Sequence, residues 1–346
     1  MENVHGGDIY SYDRMEDLVD FSANVNPLGT PKSVIAAAKE KLSEIHRYPD
    51  FYSRTLRESI GAEEGIPKEW IICGNGAADL IYRLIFAQKP KKALVLSPGF
   101  SEYQQALHAA GSQVKHYYLN KETFCLEEDF LDVLTEDLDL ICLCSPNNPT
   151  GKVIEKLLLW KISQVCKEKG IFLLLDECFY DFLDNPHEHT LLEQAKKDKN
   201  IFLLRAFTKM YGMAGIRLGY GICKNTHLLD RMYQCGPPWS VSIPAQAAGI
   251  AALQERDFPK KVRDDIKREK QVLYKALDDI NITYWKSDAN YIFFKAAEGL
   301  KEALILKGIL IRDCSNYHGL TKGYYRIAIK SARENQMLIQ ALREIL

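Results

Sequence analysis

The chain has 346 residues, 47% of them hydrophobic, which is enough for one large α/β domain and a smaller one. Its 45 basic and 46 acidic residues leave a formal net charge of −1, so no overall field attracts nucleic acid or an anionic membrane. We therefore expect neither kind of partner, and an anionic ligand has to be bound by local side chains.

The cysteine pattern and the N-terminal segment indicate the compartment. The nine cysteines form no CxxC pair, and several lie in apolar runs such as LICLC, where a thiol packs as a small hydrophobe. The opening MENVHGGDIYSYDR lacks the basic and apolar parts of a leader, and no apolar run approaches the ~20 residues that span a bilayer. We expect a cytoplasmic protein.

The first unit along the chain is an N-terminal arm, predicted over residues 1–45 because strand signals there are few, and expected to pack on the C-terminal unit. A large domain follows over 46–255. Its amphipathic stretch 155–170, with Leu157, Trp160, Ile162 and Val165 on the predicted apolar face, suits a crossover helix that ends at Gly170. Its predicted strands are continuous apolar runs: KALVLSPG (92–99), LDLICLCSP (138–146), IFLLLDE (171–177), NIFLLRAF (200–207) and RLGYGIC (217–223).

Continuous apolar strands are typical of a parallel sheet covered on both faces. After Pro259 the pattern changes to a long charged helix over 260–279 and then to half-polar strands. The strands are ITYW (282–285), NYIFFKA (290–296), ILIRDC (309–314) and YYRIAI (324–329). With a last helix from about Ala332, residues 256–346 are predicted to form a smaller α+β domain. The fold class is therefore α/β, a mainly parallel central sheet with helices on both faces and a second layer.

Ligands of an open α/β sheet bind beyond the carboxyl ends of its strands, so polar residues at those ends are candidates. GNGAAD (74–79) opens a helix and would aim the N–H groups of Gly76 and Ala77 at a phosphate, although a plain turn has the same pattern. Asn148 of SPNNPTG follows a strand and could equally belong to an Asx-Pro loop. Asp176 ends an apolar strand, where a carboxylate needs a cation such as a protonated pyridine nitrogen, unless it caps a helix or forms a structural salt bridge.

A lysine and an arginine complete this set. Lys209 follows Thr208 at the end of another strand, and Arg217 comes eight residues later. A desolvated lysine can act as a Schiff-base nucleophile, and arginine is the preferred partner of a phosphate. Lys209 alone has no special signal; its weight comes from the ordered set, in which Asn148, Asp176, Lys209 and Arg217 follow one another at spacings of 28, 33 and 8 residues.

The ordered set resembles the aspartate-aminotransferase-like (fold type I) pyridoxal-phosphate enzymes over essentially the whole chain. The resemblance implies that Lys209 forms the Schiff base with pyridoxal 5'-phosphate. It also implies the cofactor contacts: the ring hydroxyl by Asn148, the pyridine nitrogen by Asp176, the ring face by Phe100 of SPGFSEY, and the phosphate by Arg217, Thr208, Gly76 and Ala77. Ala206 stands where relatives often have a serine that adds a phosphate contact, so Thr208 carries more of that binding. Tyr48 of RYPD matches a tyrosine that reaches the phosphate of the neighbouring subunit, which implies a homodimer.

Within that family the chain resembles threonine-phosphate decarboxylases of cobalamin biosynthesis and histidinol-phosphate aminotransferases. HGGD (5–8) and DFSANVNPLG (20–29) match the decarboxylase pattern, which implies that His5 and Asn24 lie near the substrate. IRDCSNYHGL (311–320) and YYRIAIKS (324–331) supply Arg312 for the substrate phosphate and Arg326 for its carboxylate, unless these are surface cations. Phe179 stands where aminotransferases usually have a tyrosine. The resemblance implies decarboxylation of O-phospho-L-threonine to (R)-1-aminopropan-2-yl phosphate, with a histidinol-phosphate aminotransferase as the alternative and no metal.

Overall fold

The computed structural model describes residues 5–12 and 18–346, which form two sheet-containing units. The strands, in chain order, are β1 (Val19–Asp20), β2 (Ile71–Gly74), β3 (Lys92–Ser97), β4 (Gln113–Tyr118), β5 (Leu140–Cys144), β6 (Phe172–Asp176), β7 (Ile201–Ala206), β8 (Gly219–Ile222), β9 (Thr283–Trp285), β10 (Tyr291–Lys295), β11 (Ile309–Leu310), β12 (Arg312–Asp313) and β13 (Tyr324–Ala328).

The helices alternate with the strands in the first two thirds of the chain and flank them in the last third. They are α1 (Lys32–Glu40), α2 (Arg54–Glu64), α3 (Ala77–Gln88), α4 (Ser101–Ala109), α5 (Lys156–Lys169), α6 (Leu192–Ala195), α7 (Phe207–Met210), α8 (Thr226–Gln234), α9 (Ile243–Gln254), α10 (Phe258–Asp279), α11 (Leu300–Ile305) and α12 (Ala332–Ile345).

The large unit is built on a seven-stranded sheet with the order β2-β8-β7-β6-β5-β3-β4. Strands β3 to β7 pair in parallel, whereas β8 runs antiparallel to both of its neighbours. Every residue of β5, β6 and β7 is buried because helices cover both faces. The predicted fold class is confirmed, and the carboxyl ends of the parallel strands share one edge of the sheet.

Helix α5 shows one error in the predicted packing. Glu155 caps its start by accepting a hydrogen bond from the Leu158 N–H, and Gly170 ends it in the left-handed conformation with φ 69°. The prediction placed Leu157 and Trp160 on the apolar face, but they are 53% and 45% exposed. The buried residues are Leu158, Leu159, Ile162, Ser163 and Cys166. Apolar residues occur on more than one side of this helix, so periodicity alone did not identify the side that contacts the sheet.

The small unit contains an antiparallel sheet with the order β12-β13-β10-β9, packed against the long helix α10 and the C-terminal helix α12. Its strands were predicted to be half-polar, yet four of the five residues of β10 are buried. Phe294 packs into the core of the small unit, whereas Phe293 makes an edge-to-face contact with Phe124 of the large unit at 5.1 Å. Both faces of this sheet are therefore covered.

The N-terminal segment contacts the small unit directly. Strand β1 pairs in parallel with β11, and Phe21 is buried in the core of the small unit. Residues 1–4 and 13–17 of the predicted arm lie outside the described residues. The domain limits 1–45, 46–255 and 256–346 stay a prediction. Within the described residues no helix is both long and apolar enough to cross a membrane, and none of the nine cysteines, all of them described, forms a disulfide.

Candidate active site

A cavity of about 400 Å³ opens at the carboxyl edge of the large sheet, between that sheet and strand β13 of the small unit. Most of the residues predicted from the sequence face it, although they come from distant parts of the chain. They are His5, Asn24, Ala77, Phe100, Asn148, Asp176, Thr208, Lys209, Arg217 and Arg326. Gly76 adjoins Arg217 at the wall, and Phe179 lines the cavity beside them.

Asp176 lies at the end of β6 and is 4% exposed. Its carboxylate accepts hydrogen bonds from the Tyr103 hydroxyl at 2.5 Å and from the Cys178 backbone N–H at 2.9 Å. Burial nevertheless raises the pKa of Asp176 above its ordinary value, against the opposing effect of these donors and of Lys209. Because burial disfavours the charged form of this carboxylate, a cationic partner inside the cavity would stabilise it.

Tyr103 was not assigned a role from the sequence. It belongs to α4, three residues after Phe100, and it is 3% exposed. Since a buried tyrosine hydroxyl requires a polar partner, an aromatic residue on the buried side of this helix was a usable signal.

Lys209 belongs to the single helical turn α7, which begins directly after β7. Burial lowers the pKa of Lys209 to about 8, assisted by the positive charges of Arg326 and Arg217, while Asp176 acts in the opposite direction. Its Nζ lies 5.8 Å from the centre of the Phe179 ring. At this pKa about one tenth of the amine is neutral at pH 7, far more than for an ordinary lysine, and the neutral amine is the nucleophilic form.

Arg217 and the start of α3 form a cationic end of the cavity. Gly76 has φ 80°, and a Cβ built on it would lie 2.4 Å from Nη2 of Arg217. A Cβ on Gly219 would lie 2.7 Å from the Ala77 backbone nitrogen. Gly76 therefore allows the guanidinium to approach the helix N-terminus, and Gly219 allows strand β8 to approach it, with Thr208 at the same cavity wall. Backbone N–H groups, a helix dipole and an arginine together suit a phosphate.

Asn148 and Arg326 join the two units. The Asn148 side-chain oxygen accepts hydrogen bonds from the Tyr317 hydroxyl at 3.2 Å and from Nη1 of Arg326. Nη2 of Arg326 donates to the Ser22 carbonyl at 2.7 Å, and its guanidinium lies 5.4 Å from the ring centre of Tyr291. Arg326 is 5% exposed, so the surface-cation alternative does not describe it.

The buried side-chain amide of Asn24 is left unsatisfied by hydrogen bonds to the part of the chain that the structure describes. It is 2% exposed and lines the cavity, and within the described residues neither atom of its side-chain amide has a hydrogen-bond partner. An unsatisfied buried amide is costly, so its presence indicates a polar ligand.

Arg312 and Tyr48 are placed differently from the main group, whereas His5 belongs to it. His5 lies at the cavity, with Nε2 3.0 Å from a carboxylate oxygen of Glu102. Arg312 lines an adjoining recess of about 200 Å³, which shares Phe100 and Tyr317 with the cavity. Tyr48 is 75% exposed and stacks on Trp239 with ring centres 4.4 Å apart. It does not line the cavity of its own chain.

The residues present fit pyridoxal phosphate. Asp176 offers a buried anion to a protonated ring nitrogen, Lys209 offers an amine to an aldehyde, and Arg217 with the start of α3 offers a phosphate site. Phe100 lies at the same cavity, where an aromatic ring can stack on a pyridine. Across the parts of the chain that are described, no group of three or more side chains could hold a metal ion.

This fold and this site define a pyridoxal-phosphate enzyme of the aspartate-aminotransferase type. The chain belongs to the aminotransferase class I and II family, whose model matches residues 16–345. It is 37% identical to a threonine-phosphate decarboxylase of Salmonella typhimurium, over 99% of this chain and 97% of that protein.

Two solved structures share the fold. The histidinol-phosphate aminotransferase of Clostridium acetobutylicum superposes with a TM-score of 0.89 at 29% identity, covering 95% of this chain and 99% of that one. The L-threonine-O-3-phosphate decarboxylase of Porphyromonas gingivalis gives a TM-score of 0.81 at 23% identity, covering 94% and 98%, which supports the fold alone.

Proposed function

We propose that this protein is a pyridoxal-phosphate-dependent decarboxylase that converts O-phospho-L-threonine to (R)-1-aminopropan-2-yl phosphate and CO₂. The observation that carries the proposal is the 37% identity to the Salmonella threonine-phosphate decarboxylase over nearly the full length of both chains. The cationic character of the cavity supports it, because Lys209, Arg217 and Arg326 all face this one space. A substrate with both a phosphate and a carboxylate suits these charges.

The proposed substrate contacts divide between the two anionic groups. Arg326, buried between Asn148 and the Ser22 carbonyl, would bind and orient the carboxylate. The phosphate would lie toward His5 and the unsatisfied amide of Asn24. Arg312 would reach the phosphate from the recess that meets the cavity at Phe100 and Tyr317.

The bound cofactor supplies a protonated ring that accepts the electron pair left by the broken bond. In our proposal Asp176 would keep that ring protonated, Asn148 would contact the ring hydroxyl, and Arg217, Thr208, Gly76 and Ala77 would hold the phosphate. Lys209 would bind the cofactor aldehyde through its amine and would deliver a proton to the substrate Cα after CO₂ has left. The lowered pKa of Lys209, about 8, suits a group that must act both as nucleophile and as acid.

Phe179 agrees with the decarboxylase proposal. Its ring makes an edge-to-face contact with Tyr291 at 5.1 Å, and it carries no hydroxyl that could donate to the cofactor ring. The alternative is a histidinol-phosphate aminotransferase, which the match to the Clostridium structure keeps open.

We also propose a homodimer, in which Tyr48 reaches the cofactor phosphate of the partner subunit. Tyr48 stacks on Trp239 at the surface, and apolar side chains that are 41–66% exposed lie in the neighbouring segments at Leu42, Ile45 and Tyr52. An exposed apolar area of this kind is typical of a subunit interface. The absence of disulfides among the nine cysteines is compatible with the cytoplasm, which we propose as the compartment.

One assay separates the two enzymatic functions. Purified protein with pyridoxal phosphate is incubated with O-phospho-L-threonine, without any keto acid, and the released CO₂ is measured. We expect steady CO₂ release. No CO₂, together with amino transfer from histidinol phosphate to 2-oxoglutarate, would replace the decarboxylase proposal with the aminotransferase.

A further inference from the structure

Glu102 is an unexpected charge in the cavity. It is 9% exposed and lines the same space as Lys209, Arg217 and Arg326. A carboxylate beside a site for two anionic groups repels the substrate unless its charge is compensated. An acidic residue in the first turn of α4 also interacts favourably with the helix dipole, but a solvent-exposed position would serve that purpose equally well.

The contacts of Glu102 point instead to His5. Nε2 of His5 lies 3.0 Å from Glu102 Oε1, and the Tyr82 hydroxyl also donates to this carboxylate. The hydrogen bond from His5, with a smaller contribution from Tyr82, holds the pKa of Glu102 below its ordinary value despite burial. Glu102 is therefore ionised at neutral pH. Its contact with Nε2 fixes the orientation of the His5 ring.

The backbone that follows His5 is held in place by contacts of Gly6 and Gly7. A Cβ on Gly6 would lie 2.2 Å from the Ser22 carbonyl oxygen and 3.3 Å from Nη2 of Arg326, so only glycine allows this approach. The Gly7 N–H donates to the Ser22 hydroxyl at 2.7 Å. The glycines thus bring the segment to the cavity, and Glu102 sets the direction of the imidazole, whose ring centre lies 6.1 Å from that of Phe100.

We propose that Glu102 is a positioning residue that holds His5 against the cavity, where the imidazole takes the phosphate of the substrate. The proposal rests on the proposed function, because it assigns the ligand of His5. Glu102 then acts through His5 and does not contact the reacting atoms. Its negative charge is separated from the phosphate by the imidazole to which it is bonded.

A double-mutant cycle in the holoenzyme tests this coupling, with Glu102→Gln, His5→Ala and the double variant. We expect each single variant to raise KM for O-phospho-L-threonine about tenfold, the loss of one interaction with a charged group, and to leave kcat within about twofold. The double variant should be no worse than His5→Ala, and Glu102→Asp should recover part of the loss. Glu128→Gln, which removes an exposed ion pair with Lys161 on the same domain, is the matched control and should leave KM unchanged.

Two results would overturn the proposal: additive effects in the double variant, or a Glu102→Gln variant with the KM of the Glu128→Gln control. The cycle is also run on the dissociation constant of O-phospho-L-threonine, read from the change in cofactor absorption on binding, which needs no turnover. If the wild-type protein binds this compound without releasing CO₂, the proposed function fails, while the coupling between Glu102 and His5 is still decided by the dissociation constants.

Discussion

Gly76→Ala should weaken cofactor binding, because the added Cβ would displace Arg217 from the start of α3. Gly76 has φ 80° and ψ 168°, a conformation nearly restricted to glycine, so alanine costs about 1–3 kcal/mol of backbone strain. The Cβ would also lie 2.4 Å from Nη2 of Arg217. Losing one hydrogen bond from the guanidinium to the phosphate costs about 1.5–3 kcal/mol, which corresponds to a dissociation constant raised about 10- to 150-fold.

The control variant Gly111→Ala separates the effect of backbone strain from the effect of displacing Arg217. Gly111 also has φ 80°, but no atom lies within 4 Å of a Cβ built on it. Both variants should lose stability in urea unfolding, whereas only Gly76→Ala should bind pyridoxal phosphate more weakly in an absorbance titration of the apoprotein. Equal cofactor affinity in the two variants would refute the assignment of Gly76 and Arg217 to the phosphate.

Three other substitutions test the electrostatics of the large unit. Tyr103→Phe removes the hydroxyl that donates to Asp176, so the pKa of Asp176 should rise further. We expect kcat to fall about tenfold in steady-state kinetics. An unchanged kcat would show that Tyr103 has no role in the site. In the wild-type protein Arg205 pairs with the buried Glu177 at 2.8 Å, and Arg205→Met leaves that carboxylate without its partner. The free energy of unfolding, measured in urea, should fall by about 3–5 kcal/mol. A fall of less than about 1 kcal/mol would contradict this. Burial raises the pKa of Asp181 from 3.8 to about 6, so the folded state binds more protons than the unfolded state and stability falls as the pH rises between these values. Asp181→Asn should remove that fall and gain at most about 3 kcal/mol at neutral pH. Unfolding free energies of the two proteins that change in parallel from pH 4 to 7 would contradict this.

The sequence was sufficient for most of the central sheet, though not for its edge strand β4, and for most of the cavity lining. Continuous apolar runs predicted the ends of β3, β5, β6, β7 and β8 to within two residues, because strands buried on both faces need no alternation. The residues that follow β3, β5, β6 and β7 then meet at one edge because these strands run parallel to one another, and Arg217 reaches the same edge because it precedes the antiparallel strand β8. This is why Asn148, Asp176 and Lys209, spread over 62 residues, could be placed together before the fold was known.

The contacts between distant segments could not be predicted in the same way. Arg326 donates to Asn148 across 178 residues, and Glu102 of α4 pairs with His5 near the start of the chain. No local pattern encodes such a pair, because each partner is positioned by a different element. The exposed side of α5 was mispredicted for a related reason: Leu157 and Trp160 are apolar, and only the packed sheet shows which side of the helix is covered.

The stoichiometry of the reaction distinguishes decarboxylation from amino transfer. With carboxyl-labelled O-phospho-L-threonine and no keto acid present, we expect one labelled CO₂ and one 1-aminopropan-2-yl phosphate for each substrate consumed, and no turnover by Lys209→Ala, which lacks the nucleophile. Consumption of substrate with the label retained in a keto acid, or CO₂ release by the Lys209→Ala variant at the wild-type rate, would contradict it.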